Sequence, residues 1–218
     1  GVFLLFCFVF FSFLVPGAGG GGCGCVLLSG GQFVCFRWGR GCASGPHDLR
    51  VTRGFASPAT PYGALLPRHT RSAELYDALD TVAKGWATWK SPQLRAALAE
   101  TSIAAYRLEA DAARTLRLEE ERAGRRVREF HLALYTPKKS WNDLETPDTL
   151  WRVYLTLPGG EHVEPVRVIY LPKSDKSAVE YPYVTRWTRE YALLFPILDG
   201  TPADLPPTLV LTGPLGTL

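Results

Sequence analysis

The chain opens on an apolar run over residues 2–15, broken only by Ser12, meets Pro16-Gly17-Ala18 and passes into four glycines at 19–22. A run of that length falls short of the roughly 20 residues that span a bilayer as a helix, and it matches the apolar core of a secretory signal. The chain starts at Gly1 and has no Met, so the start is expected to lie upstream. Over residues 19–67 Gly, Ser and Pro dominate, and periodicity survives only in pieces such as Gln32–Phe36, which predicts a flexible tether.

From about Ser72 the pattern changes. Leu75, Leu79, Val82, Trp86 and Trp89 recur at steps of four, three, four and three, the spacing of one helix face, with Thr70 or Ser72 as cap. Ser91 and Pro92 suit a new helix start, an N-cap followed by a proline in the first turn. A second stripe then runs through Leu94, Leu98, Thr101, Ala105, Leu108 and Ala112, with Leu116 close to it. Gly124 is its expected stop. Two helices joined by a short turn predict an antiparallel hairpin.

Beyond Arg126 the period becomes two and β-branched and aromatic residues take over. Segments 127–135, 150–157, 162–171, 189–195 and 208–212 read as strands. Pro158-Gly159-Gly160 predicts a hairpin turn between the second and third. No helical pattern lies between them, so a parallel sheet with helical crossovers is excluded. The expected fold is α+β, an N-terminal helical hairpin packed on an antiparallel β-sandwich-like module. Its divisions are a leader at 1–22, a tether at 23–67, the hairpin at 68–125 and the β module at 126–218.

Hydrophobic residues make up 46% of the 218, enough to build a core, while 24 basic against 21 acidic residues give a net charge of +3 and no basic footprint for nucleic acid. The five cysteines, Cys7, Cys23, Cys25, Cys35 and Cys42, all precede the periodic regions, so the core is expected to owe nothing to disulfides. Cys-x-Cys at 23–25 is not the spacing typical of zinc sites, and neither a metal nor a cofactor is expected. Pairing of Cys35 with Cys42 fits an oxidising compartment. Cys23 follows Gly21-Gly22 after the apolar run, which resembles the lipobox of bacterial lipoproteins, although Gly20 stands where that pattern usually has Leu. Cys25 offers a competing register, and both are lipidation candidates.

Trp141-Asn142-Asp143-Leu144 falls in a Pro-flanked loop, where an aromatic beside an amide and a carboxylate suits a polar ligand, and where the same residues equally shape a turn and lid the core. Tyr181, Tyr183 and Trp187 form a second aromatic group with the same two readings. Trp151, Val153, Leu155 and Leu157 share one side of their strand, which places Trp151 in the core. His131 and His162 read as solvent-facing strand positions, and no nucleophile elbow, His-Glu-x-x-His or phosphate loop accompanies them.

Tyr135-Thr136-Pro137, Trp141-Asn142-Asp143-Leu144, Trp151-Arg152-Val153-Tyr154-Leu155, Tyr181-Pro182-Tyr183, Trp187 and Gly213-Pro214-Leu215-Gly216 carry a resemblance to uncharacterised bacterial envelope lipoproteins, in which a helical region precedes a β-rich module. The resemblance implies an envelope location, periplasmic or outer-membrane anchored, and a non-catalytic β module; simple secretion is the alternative. The function expected is an exported, lipid-anchored binding or structural module that engages an envelope protein or a cell-wall polymer and no nucleic acid. Its candidate contacts are Trp141, Asn142, Asp143, Tyr181, Tyr183 and Trp187. The alternative is a secreted hydrolase with an unrecognised site.

Overall fold

The computed structural model describes residues 24–28, 32–36, 54–157, 159–197 and 207–218. The chain divides into two compact units, Gly1–Arg40 and Gly41–Leu218. In the first, β1 (Gly24–Leu28) and β2 (Gln32–Phe36) pair antiparallel, with Cys25 opposite Cys35 in the backbone register. The apolar leader, Cys23 and Cys42 lie outside the described residues, and with them the expected signal, the lipidation of Cys23 and the Cys35–Cys42 pairing.

The second unit carries α1 (Pro61–His69), β3 (Thr70–Asp77), β4 (Asp80–Trp89), α2 (Pro92–Tyr106), α3 (Ala110–Arg126) and β5 (Arg128–Tyr135). It continues with β6 (Arg152–Thr156), β7 (His162–Val163), β8 (Arg167–Leu171), α4 (Asp175–Glu180), β9 (Arg189–Phe195), β10 (Thr208–Gly213) and β11 (Gly216–Thr217). One sheet has the order β3-β4-β5-β9-β8 and the other β11-β10-β6-β7, with every pairing antiparallel. The fold is α+β with antiparallel sheets.

Alternation along β5 and β9 decides the layering. Phe130, Leu132, Leu134, Tyr191, Leu193 and Phe195 point one way and share a core with Val153, Leu155, Val163 and Leu211 of the smaller sheet and with Trp151. The opposite face meets α1, α2 and the segment after α4, where Ala56, Tyr62, Leu66, Leu94, Ala97, Ala133, Tyr181 and Tyr183 form a second core. The five-stranded sheet is therefore covered on both faces.

The structure corrects the expected helix over the 75–89 stripe, which is the hairpin of β3 and β4. The residues at helical spacing fall on different faces of a sheet: Leu75 and Trp89 pack toward the smaller sheet and Trp86 toward the helices. Leu79, the stripe's second member, is 97% exposed at the turn. Val82, Thr81 and Thr88 are β-branched, and tertiary pairing with β5 outweighs an accidental period. The helical hairpin consists instead of α2 and α3, which divide the second predicted helix between them and run two residues past its expected stop. Ser91 caps α2 by accepting from the Leu94 amide, with Pro92 in the first turn as expected. The break falls at Arg107, held in the left-handed region at φ 49, a position no glycine announces. Gly124 does not stop α3. It lets Arg95 approach, since a Cβ there would lie 3.3 Å from the Arg95 Cδ.

The predicted strand at 162–171 is also two strands in different sheets, β7 and β8, separated by Glu164-Pro165-Val166. Pro165 has no amide to continue a ladder. Part of the segment expected to be tether is core: Thr60 caps α1 by accepting from the Gly63 amide, and Ala56, Tyr62 and Leu66 are buried. Leu66→Ala is expected to cost about 2–5 kcal/mol. Urea unfolding of the full chain measures it, and a cost near zero would show that α1 does not pack as described.

Candidate functional site

The helix-side face of the large sheet holds polar side chains where a core would be expected. Thr70 pairs with Thr88 across β3 and β4, Thr88 with His131 across β4 and β5, and Glu190 on β9 lies diagonally beside His131 on the same face. All four are nearly inaccessible, with His131 at 2% and Glu190 at 1% exposure. The His131 ring is stacked under Tyr181 with centroids 3.7 Å apart. This corrects the expectation of a solvent-facing His131. His162 is exposed as expected, with its ring against Tyr154.

Proton counting orders the network. Glu190 only accepts as a carboxylate, so His131 Nε2–H donates to its Oε2 over 3.0 Å. Burial holds the His131 pKa below its ordinary value against the raising effect of Glu190, so the ring is neutral and Nδ1 accepts from the Tyr183 hydroxyl at 3.0 Å. Tyr183 then accepts from Thr88 at 2.7 Å, and Thr88 from Thr70 at 2.7 Å. The single Thr70 proton is shared with the Leu66 carbonyl, 2.9 Å away. Burial pushes Glu190 up, but hydrogen bonds from His131 and Ser177 outweigh it and leave the carboxyl below the ordinary range. Its Oε1 is buried without a partner.

A hydroxyl, an imidazole and a carboxylate thus meet, but not as a nucleophile relay. Ser177 Oγ–H and His131 Nε2–H both donate to the same Glu190 oxygen, so the base is turned toward the carboxylate and away from the serine. Tyr181 and Tyr183 stack on or bond the His131 ring, and neither the Trp187 cleft nor the α2–α3 cavity is lined by His131 or Glu190.

The six predicted contact residues separate into three places. Asn142 is buried and structural: its Nδ2 donates to the Leu134 carbonyl, and its Oδ1 accepts from the Tyr191 hydroxyl. Asp143 Oδ1 accepts from Thr149, and the Trp141 carbonyl accepts from the Trp151 indole, which is buried in the core as expected. Tyr181 and Tyr183 belong to the buried network. Trp187 alone stands out, 67% exposed.

Trp187 walls an open cleft of about 320 Å³ with Trp86, Tyr135, Thr185 and Thr188. Trp86 and Tyr135 lie on the helix-side face of adjacent strands, Trp86 opposite Ala133 and Tyr135 opposite Lys84, and Trp86 lies parallel to Tyr183 at 6.5 Å. The turn carrying Trp187 is fixed from within: the Trp187 amide donates to Thr185 Oγ1, and the Thr185 amide to Thr188 Oγ1. Sequence reading missed Trp86 and Tyr135 as partners of Trp187. The strand register that joins them spans about 100 residues of chain and leaves no local signal.

A second cavity, about 480 Å³ between α2 and α3, is lined by charges of both signs. There Arg95 bridges Glu120 and Glu129, Lys90 also holds Glu129, and Arg117 pairs with Glu100. Among the described residues no cluster of His, Cys, Asp and Glu suits a metal ion, and no helix is long and apolar enough to cross a membrane. No family model, curated protein or solved structure matches the chain.

Proposed function

We propose that the chain is an exported, lipid-anchored envelope protein whose second unit is a non-catalytic binding module, with the Trp86–Tyr135–Trp187 cleft as its contact surface. The observation that carries the binding reading is that three aromatic rings from β4, β5 and the turn before β9 converge on one open cleft, with one of them mostly exposed. Aromatic side chains grouped on one open surface suit a contact site, because aromatic anchors dominate binding energy. A hydrolase draws support from the meeting of Ser177, His131 and Glu190, but their shared carboxylate oxygen and burial favour a structural network.

Export is supported by the apolar run of residues 2–15, and anchoring by Cys23 and Cys25 just beyond it. The resemblance to envelope lipoproteins points the same way. Mass spectrometry of the mature N-terminus tests both: a chain starting at Cys23 or Cys25 with added acyl mass is expected, and a soluble product that retains residues 2–15 would contradict it.

For the cleft, co-sedimentation of the full chain with lipid-extracted cell envelopes, on which a lipid anchor has no hold, compares wild type with Trp187→Ala. The variant is expected to keep its unfolding midpoint, as surface changes stay within about 0.5 kcal/mol. It is expected to lose about tenfold or more in retention. Equal retention would remove the cleft as the contact surface.

A further inference from the structure

We infer that the ligand of this cleft is an acidic glycan, with sugar rings lying on the aromatic faces and carboxylates meeting cations at the rim. The inference rests on the binding reading above. The lining supplies ring faces and threonine side chains and contains no carboxylate. The Tyr135 hydroxyl and the indole N–H groups of Trp86 and Trp187 are not committed to hydrogen bonds among the described residues, and so are available to sugar hydroxyls.

Exposed cations follow or precede the lining residues in the chain. Lys138 and Lys139 leave the end of β5 just beyond Tyr135, and Arg186 precedes Trp187; all three are exposed. None of the three joins an ion pair among the described residues. Arg186 lies 4.7 Å over the Trp187 ring and Lys138 lies 4.4 Å over the Trp141 ring. Of the carboxylates on neighbouring strands and loops, Glu74 pairs with Lys84, the residue opposite Tyr135 in the sheet, Glu145 with Arg189 and Glu190 with His131 in the interior, while Asp143 accepts from Thr149. In a chain close to neutral overall, exposed cations therefore flank two of the lining residues, Tyr135 and Trp187, along the chain.

That combination favours sugar over the other anionic polymers. A polyphosphate backbone is held chiefly by an extended basic field, which a net charge of +3 does not supply. Sugar rings instead present a C–H face to an aromatic ring and hydroxyls to its edge donors, and the internally bonded 185–188 turn holds Trp187 ready for such contact.

Tryptophan fluorescence and calorimetry of the full chain, titrated with polygalacturonate oligomers, neutral cello-oligosaccharides and a single-stranded oligonucleotide, test the inference. Polygalacturonate is expected to bind about tenfold or more tighter than the neutral oligomer, and to weaken as salt rises from about 50 to about 500 mM. Trp187→Ala and the triple variant Lys138→Ala, Lys139→Ala, Arg186→Ala are each expected to weaken it about tenfold. Equal affinity for neutral and acidic oligomers overturns the acidic assignment, and tighter binding of the oligonucleotide overturns the glycan. Failure of both glycans, with envelope retention still lost in Trp187→Ala, overturns this inference and leaves the cleft reading standing. If Trp187→Ala matches wild type on glycans and envelopes alike, both fall.

Discussion

Gly63→Ala is expected to destabilise the second unit by about 3 kcal/mol, among the largest single-residue effects in the chain. A Cβ at this position would lie 2.0 Å from the Ser57 carbonyl oxygen and 2.5 Å from the Ala56 carbonyl oxygen. Those atoms are backbone, and they cannot withdraw freely: the Thr60 hydroxyl donates to the Phe55 and Ser57 carbonyls while its oxygen accepts from the Gly63 amide. Alanine gains about 1 kcal/mol in helix propensity over glycine, which the collision outweighs. Gly85→Ala is the matched control, because its new Cβ would meet nothing closer than 3.9 Å. Urea unfolding of both variants should separate them clearly. Similar midpoints would mean that residues 54–60 do not lie against α1 as described.

His131→Leu is expected to cost about 3–5 kcal/mol, because it leaves the Glu190 carboxylate buried with Ser177 as its one remaining donor among the described residues. Replacing both, His131→Leu with Glu190→Leu, removes the stranded charge and should recover most of the loss. A double-mutant cycle reads the coupling, and additive losses would contradict a paired interior. The same pair fixes the pH dependence. His131 is neutral when folded, its pKa depressed by burial, so the unfolded chain takes up a proton that the folded chain refuses as pH falls below about 6.5. Glu190 is depressed too, and its contribution is present above the unfolded carboxyl pKa and fades as pH falls through the folded one. Both terms make acid destabilising. Melting temperature should fall from about pH 6.5 downward, and less steeply in the double variant.

The strands were legible where alternation met a boundary signal. Arg189–Phe195 was read to the residue, and β5 within one, because apolar and polar positions alternate with aromatic or β-branched chemistry. The first predicted helix failed because five apolar residues at helical spacing also satisfy two strands and a turn, and only pairing with β5 decides between them. The site was legible in its parts alone. Trp187 is exposed, yet Tyr181 and Tyr183, read with it from the sequence, turn inward to cover His131. His131 misled for a physical reason: a histidine on a strand is ordinarily half solvated, and here Glu190, 59 positions away, makes its burial tolerable.

We propose that the cleft, and not the buried His131 cluster, meets the ligand. The most direct measurement is NMR of the indole N–H and imidazole signals of the full chain during titration with solubilised cell-wall polymer. The Trp187 and Trp86 indole resonances are expected to shift in a saturable way, with the His131 ring signals unmoved. Shifts confined to His131, with both indoles unchanged, would contradict the cleft as the contact surface and place the chemistry under Tyr181.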